Sequence, residues 1–156
     1  MHDAVSVSLR VQASPARAFQ AFTEEVGQWW RHNPLFAATP RSPGRMAFEP
    51  GPGGRFVEIL ADGKVFEIGR IRIWEPPRRL VFGWRAATFA PDMEGEVDVA
   101  FDPVGPETRV TVTHKGWLKV PREHVARHGF PDALFQRRYG EWMQAQLAAL
   151  AAMLRP

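Results

Sequence analysis

Between residues 132 and 154 the chain carries an apolar stripe that only one kind of element can use. Phe135, Tyr139, Trp142, Met143, Leu147, Leu150 and Leu154 recur at three- and four-residue intervals, with Trp142 and Met143 side by side. That rhythm places them on one face of an α-helix about five turns long. Arg137, Arg138, Glu141 and Gln144 fall off the stripe. A helix of this kind must lay its apolar face on a partner, and the preceding residues decide what the partner is.

They read as strands. Val5-Ser6-Val7-Ser8-Leu9-Arg10-Val11 alternates strictly, the period of a half-buried strand. Ser14-Pro15 then supplies an N-cap and a first-turn proline, and Phe19, Phe22, Val26 and Trp29 share a helical face. Gly27 and Asn33-Pro34 break this region, which predicts one helix with a short second turn carrying Trp29 and Trp30. A short strand follows at 45–49 and another at 55–60. Asp62-Gly63 marks a two-residue hairpin to a strand over 65–74. That strand changes phase: Phe66 and Ile68 share one side, Ile71 and Ile73 the other. A β-bulge near Gly69 would bring all four to the same side. Leu80, Phe82 and Trp84 form the next inward row, Val97, Val99 and Phe101 another, and Val110, Val112 and His114 the last. Short turns between neighbours predict an antiparallel sheet, and the long helix covers one face of it. The expected fold is α+β, with six or seven strands wrapped around the C-terminal helix, as a single domain over residues 1–156.

Composition narrows the function. At 156 residues and 45% hydrophobic content the chain can build a core without staples. The absence of cysteine removes disulfides, thiolate metal sites and cysteine nucleophiles. The first residues lack a basic stretch followed by an apolar one, and no apolar run is long enough to cross a bilayer, so a cytoplasmic protein without membrane attachment is expected. The net charge is +3, but lysine stands only at Lys64, Lys115 and Lys119, and the arginines are dispersed. Nucleic-acid binders gather charge on one face, so no nucleic-acid partner is expected. Six Trp and eleven Phe against a single Tyr is an aromatic load that can line a concavity as well as fill a core.

The order of motifs resembles a known family. Ser14-Pro15-Ala16-Arg17-Ala18-Phe19 after a first strand is similar to the opening of the START-like, or SRPBCC, superfamily. Trp29-Trp30, Gly53-Gly54-Arg55-Phe56, Asp62-Gly63, Gly69, the run from Trp74 through Arg78-Arg79 to Trp84, the run from Thr108 to Trp117, and Trp142 continue the likeness. Together they resemble the bacterial branch named after the activator of the heat-shock protein 90 ATPase. The resemblance implies a helix-grip fold with a cavity between sheet and long helix. It also implies a range of roles: lipid, hormone and polyketide binding, cyclase or aromatase chemistry, and co-chaperone work. It supplies no catalytic motif to transfer.

The residues themselves offer candidates for a ligand site: Trp29, Trp30, Glu58, Phe82, Trp84, Val99, His114 and Trp142. Indoles combine a large apolar body with one N–H that needs a partner, so several converging on one space suit an apolar pocket with a few polar handles. His114 shares the inward face of Val110 and Val112; it is either a ligand-orienting or basic imidazole, or a core histidine satisfied by a backbone carbonyl or water. Glu58 turns inward if Phe56 and Leu60 do, where a carboxyl can act as acid or base, and outward if Val57 and Ile59 hold the core. His124 and His128 are four apart, a metal-ligand spacing, but Glu123 is not between them and the zincin pattern fails. No Gly-x-Ser-x-Gly occurs, and Gly51-Pro52-Gly53-Gly54 lacks the Lys-Ser/Thr of a phosphate loop. No catalytic residue, metal or cofactor is therefore expected. The expected function is binding of a small apolar or aromatic ligand between sheet and helix. The alternatives are a cyclase-, aromatase- or hydrolase-type enzyme using the same pocket, favoured if His114 and Glu58 meet, and a domain that docks on a chaperone or another protein.

Overall fold

The computed structural model describes residues 1–156. Strand β1 (Ala4–Val11) leads into helix α1 (Pro15–Glu24) and the single turn α2 (Val26–Trp29). Six strands follow: β2 (Arg45–Phe48), β3 (Arg55–Ile59), β4 (Val65–Glu75), β5 (Arg79–Trp84), β6 (Gly95–Val104) and β7 (Glu107–Lys115). Helix α3 (Asp132–Leu154) comes last. All seven strands form one antiparallel sheet in the order β1-β7-β6-β5-β4-β3-β2. Only the β1–β7 pairing leaps along the chain; the other neighbours are sequential hairpins, as short turns require. The curled sheet holds α3 in a helix-grip-like α+β arrangement, and every residue of the α3 stripe is buried. No helix is long and apolar enough to cross a membrane.

Local chemistry sets the boundaries. Ser14 Oγ accepts from the Arg17 N–H at 3.2 Å, capping α1 behind Pro15. The β3–β4 turn is one residue longer than two-residue geometry demands. Leu60 and Lys64 still bond across it, and Gly63 closes it at φ +84°, a left-handed position that suits glycine.

Strand β4 bends twice. Phe56 pairs with Gly69 but Val57 pairs with Glu67, leaving Ile68 as the extra residue of a bulge, so Ile68 and Ile71 both reach the core. Here the backbones of β4 and β5 approach so closely that a Cβ on Gly69 would lie 1.7 Å from the Gly83 carbonyl oxygen. A second bulge leaves Arg72 unpaired between Ile71↔Phe82 and Ile73↔Val81. It reverses the phase again. Ile73 therefore leaves the inner row expected of it, and Trp74 turns in to meet Phe19 edge-on at 5.0 Å.

Candidate functional site

The inner face of β5 presents Phe82 and Trp84, one pleat apart, toward α3. From α3 come Tyr139, Trp142 and Gln146, spaced to share a helical face. From the end of α2 come Trp29 and Trp30. Trp29 is locked by its own N–H, which donates to the Ala21 carbonyl at 2.9 Å. Trp30 lies nearly parallel to Trp84 at 6.5 Å, meets Trp142 edge-on at 5.5 Å, and has Phe56 at 5.6 Å.

These rings fill most of the space in which the sequence leads one to expect a pocket. What remains is an inner cavity of about 50 Å³ bordered by Phe82, Trp84, His114, Tyr139, Trp142 and Gln146. That holds water but not an aromatic ring, since an apolar cavity that takes benzene measures roughly 150 Å³. The roomier opening lies at one end of the sheet. It is an outer cleft of about 260 Å³ under the segment 34–40, walled by Leu35, Phe36, Trp84, Trp117, Phe135 and Tyr139. Trp84 and Tyr139 border both spaces. The rim is tied down by backbone acceptors. His128 Nε2 bonds the Leu35 carbonyl, the Ala87 N–H donates to the Ala38 carbonyl at 2.7 Å, and His124 Nε2 bonds the Thr88 carbonyl at 3.0 Å.

His124 and His128 thus flank a single 3₁₀ turn over Val125–Arg127 and do not sit together on an α-helical turn. His124 Nδ1 accepts from the Ala126 N–H at 3.1 Å, which leaves Nε2 as its donor. Asp132, the conceivable third ligand, instead takes the guanidinium of Arg127. Arg127 is itself buried, with its charge 4.8 Å over the Phe135 ring.

His114 is 2% exposed, and its Nδ1 shares a hydrogen bond with the Tyr139 hydroxyl. Burial pushes the imidazole down to about 3 and raises the Tyr139 phenol, so both are neutral at physiological pH. The partner is a side chain on α3 rather than the backbone carbonyl or water expected of a core histidine. Glu58 is inward and 1% exposed: it shares the inner face of β3 with Phe56, and the segment 39–44 closes over its carboxylate. Its carboxylate accepts from the Thr39 hydroxyl at 3.0 Å and from the Gly44 N–H at 2.8 Å. Glu58 and His114 make no hydrogen bond to each other: one lines a narrow crevice behind Trp30 and Trp84, the other the inner cavity. The arrangement that would have favoured an acid–base enzyme does not form.

Of the remaining candidates, Trp29, Trp30, Phe82, Trp84 and Trp142 border the inner cavity. Val99 is fully buried between Leu80 and Val112 and borders neither opening. Sequence reasoning missed Phe36, Trp117 and Gln146. Gln146 accepts from the Arg31 N–H at 2.6 Å, while Trp142, one turn earlier, donates to the Arg31 carbonyl at 2.9 Å. Two side chains of α3 therefore grip the peptide groups on both sides of Arg31 and hold Trp30 over the cavity.

The chemistry on offer is apolar contact and stacking, with a few polar side chains and no Asp, Glu, Lys or Arg at either opening. Nowhere do three His, Cys, Asp or Glu side chains gather as a metal site needs. Comparisons with known proteins place this geometry in context. Residues 12–152 match the family described as activator of Hsp90 ATPase homolog 1-like protein. None of the curated proteins matches the chain. Among solved structures, an HSP90 activator from Plasmodium falciparum superposes with a TM-score of 0.65 at 18% identity, covering 98% of this chain and 96% of that one. DynU16, a protein of the dynemicin biosynthetic locus, gives 0.67 at 20% identity, covering 99% of this chain but 48% of its own. The anthrahydroquino-γ-pyrone synthase Txn09, complexed with SUM, gives 0.58 at 27% identity, covering 97% and 96%. The first two likenesses speak for the fold alone.

Proposed function

We propose that this chain, which belongs to the activator of Hsp90 ATPase homolog 1-like family, acts as one START-like domain that binds a small apolar or aromatic ligand at the cleft between its sheet and α3. The observation that carries this reading is the outer cleft of about 260 Å³, walled by aromatic rings and sharing Trp84 and Tyr139 with the inner cavity. Its size approaches the lower end of small-molecule pockets, and its lining has their composition. A relative at 27% identity is a synthase complexed with SUM, which is in keeping with a ligand on this fold. Native mass spectrometry of the chain purified from its own host tests the reading. A co-purifying small molecule, lost on denaturation, is expected; a bare chain that also takes up no aromatic probe counts against it.

A second reading, docking on a chaperone, is favoured by the family and by Leu118 and Val125, two apolar side chains exposed by more than half. Stimulation of the ATPase of the host's heat-shock protein 90, lost in Leu118→Asp/Val125→Asp, is its test.

A further inference from the structure

Three loops ring the outer cleft, and a hydrogen bond ties each to the next. The residues that line the cleft divide by burial. Trp84, Trp117, Phe135 and Tyr139 are buried and form its floor, while Leu35, Thr88, Val125 and His128 are exposed and form its rim. The rim comes from segments 34–40, 86–89 and 121–130, none of which belongs to a strand or an α-helix. The Ala87 N–H joins the second segment to the Ala38 carbonyl of the first at 2.7 Å. His124 Nε2 joins the third to the Thr88 carbonyl of the second at 3.0 Å, and His128 Nε2 joins the third back to the Leu35 carbonyl of the first. Two of the three joints are therefore imidazoles, side chains that change charge between pH 5 and 8.

The two imidazoles answer a proton differently. His128 donates through Nε2, so a second hydrogen on Nδ1 leaves that bond in place and a charged donor strengthens it. His124 has no such freedom. Its Nδ1 accepts from the Ala126 N–H at 3.1 Å, capping the 3₁₀ turn Val125–Arg127, so its one hydrogen sits on Nε2 and goes to Thr88. A proton added at Nδ1 sets N–H against N–H. Either the ring turns and gives up Thr88, or the turn moves off the ring; both part the third segment from the second. Val125 and Ala126, two residues of that turn, line the cleft.

Few charges face His124. Segment 86–89 presents the Thr88 carbonyl and the Phe89 ring, edge-on at 5.7 Å, and neither it nor segment 34–40 carries an ionisable side chain. On its own segment stand His128, the exposed pair Arg122 and Glu123, and Arg127. The Arg127 guanidinium is taken up by the Val120 carbonyl and by Asp132 of α3.

We propose that His124 is an acid-sensitive joint that sets how fast the cleft exchanges its ligand: the rim is closed while the imidazole is neutral and parts once it is protonated. This adds a regulation to the ligand-binding reading and rests on it.

Two measurements test it. The first needs no ligand: nitrogen NMR of the wild-type histidines at pH 7.5 is expected to show His124 with its hydrogen on Nε2. A hydrogen on Nδ1 overturns the inference. The second is stopped-flow exchange of prodan, a naphthalene dye uncharged at both pH values, at pH 7.5 and 5.5, with circular dichroism to show an intact fold. A looser rim speeds entry and exit alike. Association and dissociation should both rise by about two- to tenfold in acid, the worth of one hydrogen bond, with a smaller change in Kd. His124→Asn keeps an oxygen for the Ala126 N–H but neither titrates nor reaches Thr88, so it should exchange fast at both pH values. His128→Asn should keep the wild-type ratio between them. Wild-type rates equal at the two pH values overturn the inference and leave the ligand-binding reading standing. So does a ratio that survives in His124→Asn or vanishes in His128→Asn, or an acid effect confined to dissociation. Failure of prodan to bind at either pH counts against the reading, and the inference falls with it.

Discussion

Tyr139 reaches from the long helix to His114 on the last strand, and their shared hydrogen bond spans the wall of the inner cavity. Both groups are fully enclosed, so the bond joins two neutral partners, and the folded state has no comfortable place for an imidazolium.

Acid should therefore unfold the protein in a way that depends on His114. The unfolded imidazole takes up a proton near pH 6.5, whereas the folded one resists until about 3. Between those values the unfolded state holds more protons, so stability falls as pH falls, with a slope approaching about 1.4 kcal/mol per pH unit. Above pH 6.5 the group adds no slope. Urea denaturation from pH 7.5 to 4.5 should show this component, and the double variant His114→Phe/Tyr139→Phe should lack it. An unchanged slope would place the acid sensitivity elsewhere.

Trp84→Ala should weaken the binding of an aromatic probe. The indole borders both spaces, and a stacked ring contributes about 0.5–1.5 kcal/mol beyond its buried area. Fluorescence or calorimetric titration measures the change, with circular dichroism to show that the sheet is intact. Equal affinity in the variant would remove Trp84 from the site.

Leu147→Ala should destabilise by about 2–5 kcal/mol, the range for truncating an enclosed leucine. Leu147 is 1% exposed at the centre of the α3 stripe. A shift in denaturation midpoint without a change in slope is the expected reading.

Gly44→Ala should cost about 1–3 kcal/mol by overpacking. A Cβ there would stand 2.7 Å from both Glu58 Cγ and the Ile59 carbonyl oxygen, forcing the segment 39–44 off the carboxylate it covers. Thr39→Val removes one of the two donors to Glu58 without a clash and should cost less. If both variants melt with wild-type stability, the Glu58 enclosure is not part of the cooperative core.

Much of the architecture was legible because it obeys two periods. The three-four stripe marks α3 from residue 132 to 154, and alternating rows mark every strand, although those of β6 and β7, Val97 to Phe101 and Val110 to His114, fall short of strands that run Gly95–Val104 and Glu107–Lys115. The first bulge of β4 announces itself as a phase slip across Gly69. The second is masked, because Ile71, Ile73 and Trp74 are all apolar and either phase reads as a core row. The site was less legible for the same reason. A stripe counts Tyr139 as apolar and hides the hydroxyl that His114 uses, and Gln146 reads as polar although it is enclosed. The segment 34–40 has no period at all, so nothing in it foretells that Leu35 and Phe36 wall the cleft. Glu58 was ambiguous because Phe56, Val57 and Glu58 are all buried, and alternation cannot describe a strand covered on both faces.

The grip of Trp142 and Gln146 on Arg31 also orders events during synthesis. Chains emerge N-terminus first, at about 5–20 residues per second. Residue 31 is made long before residues 142 and 146 that hold it. Until α3 arrives, Trp30, Phe56 and Trp84 form an uncovered aromatic strip on a sheet whose first strand still waits for its seventh. From the synthesis of Trp84 onward the nascent chain carries this strip, and the last element to be translated is the one that ends the exposure.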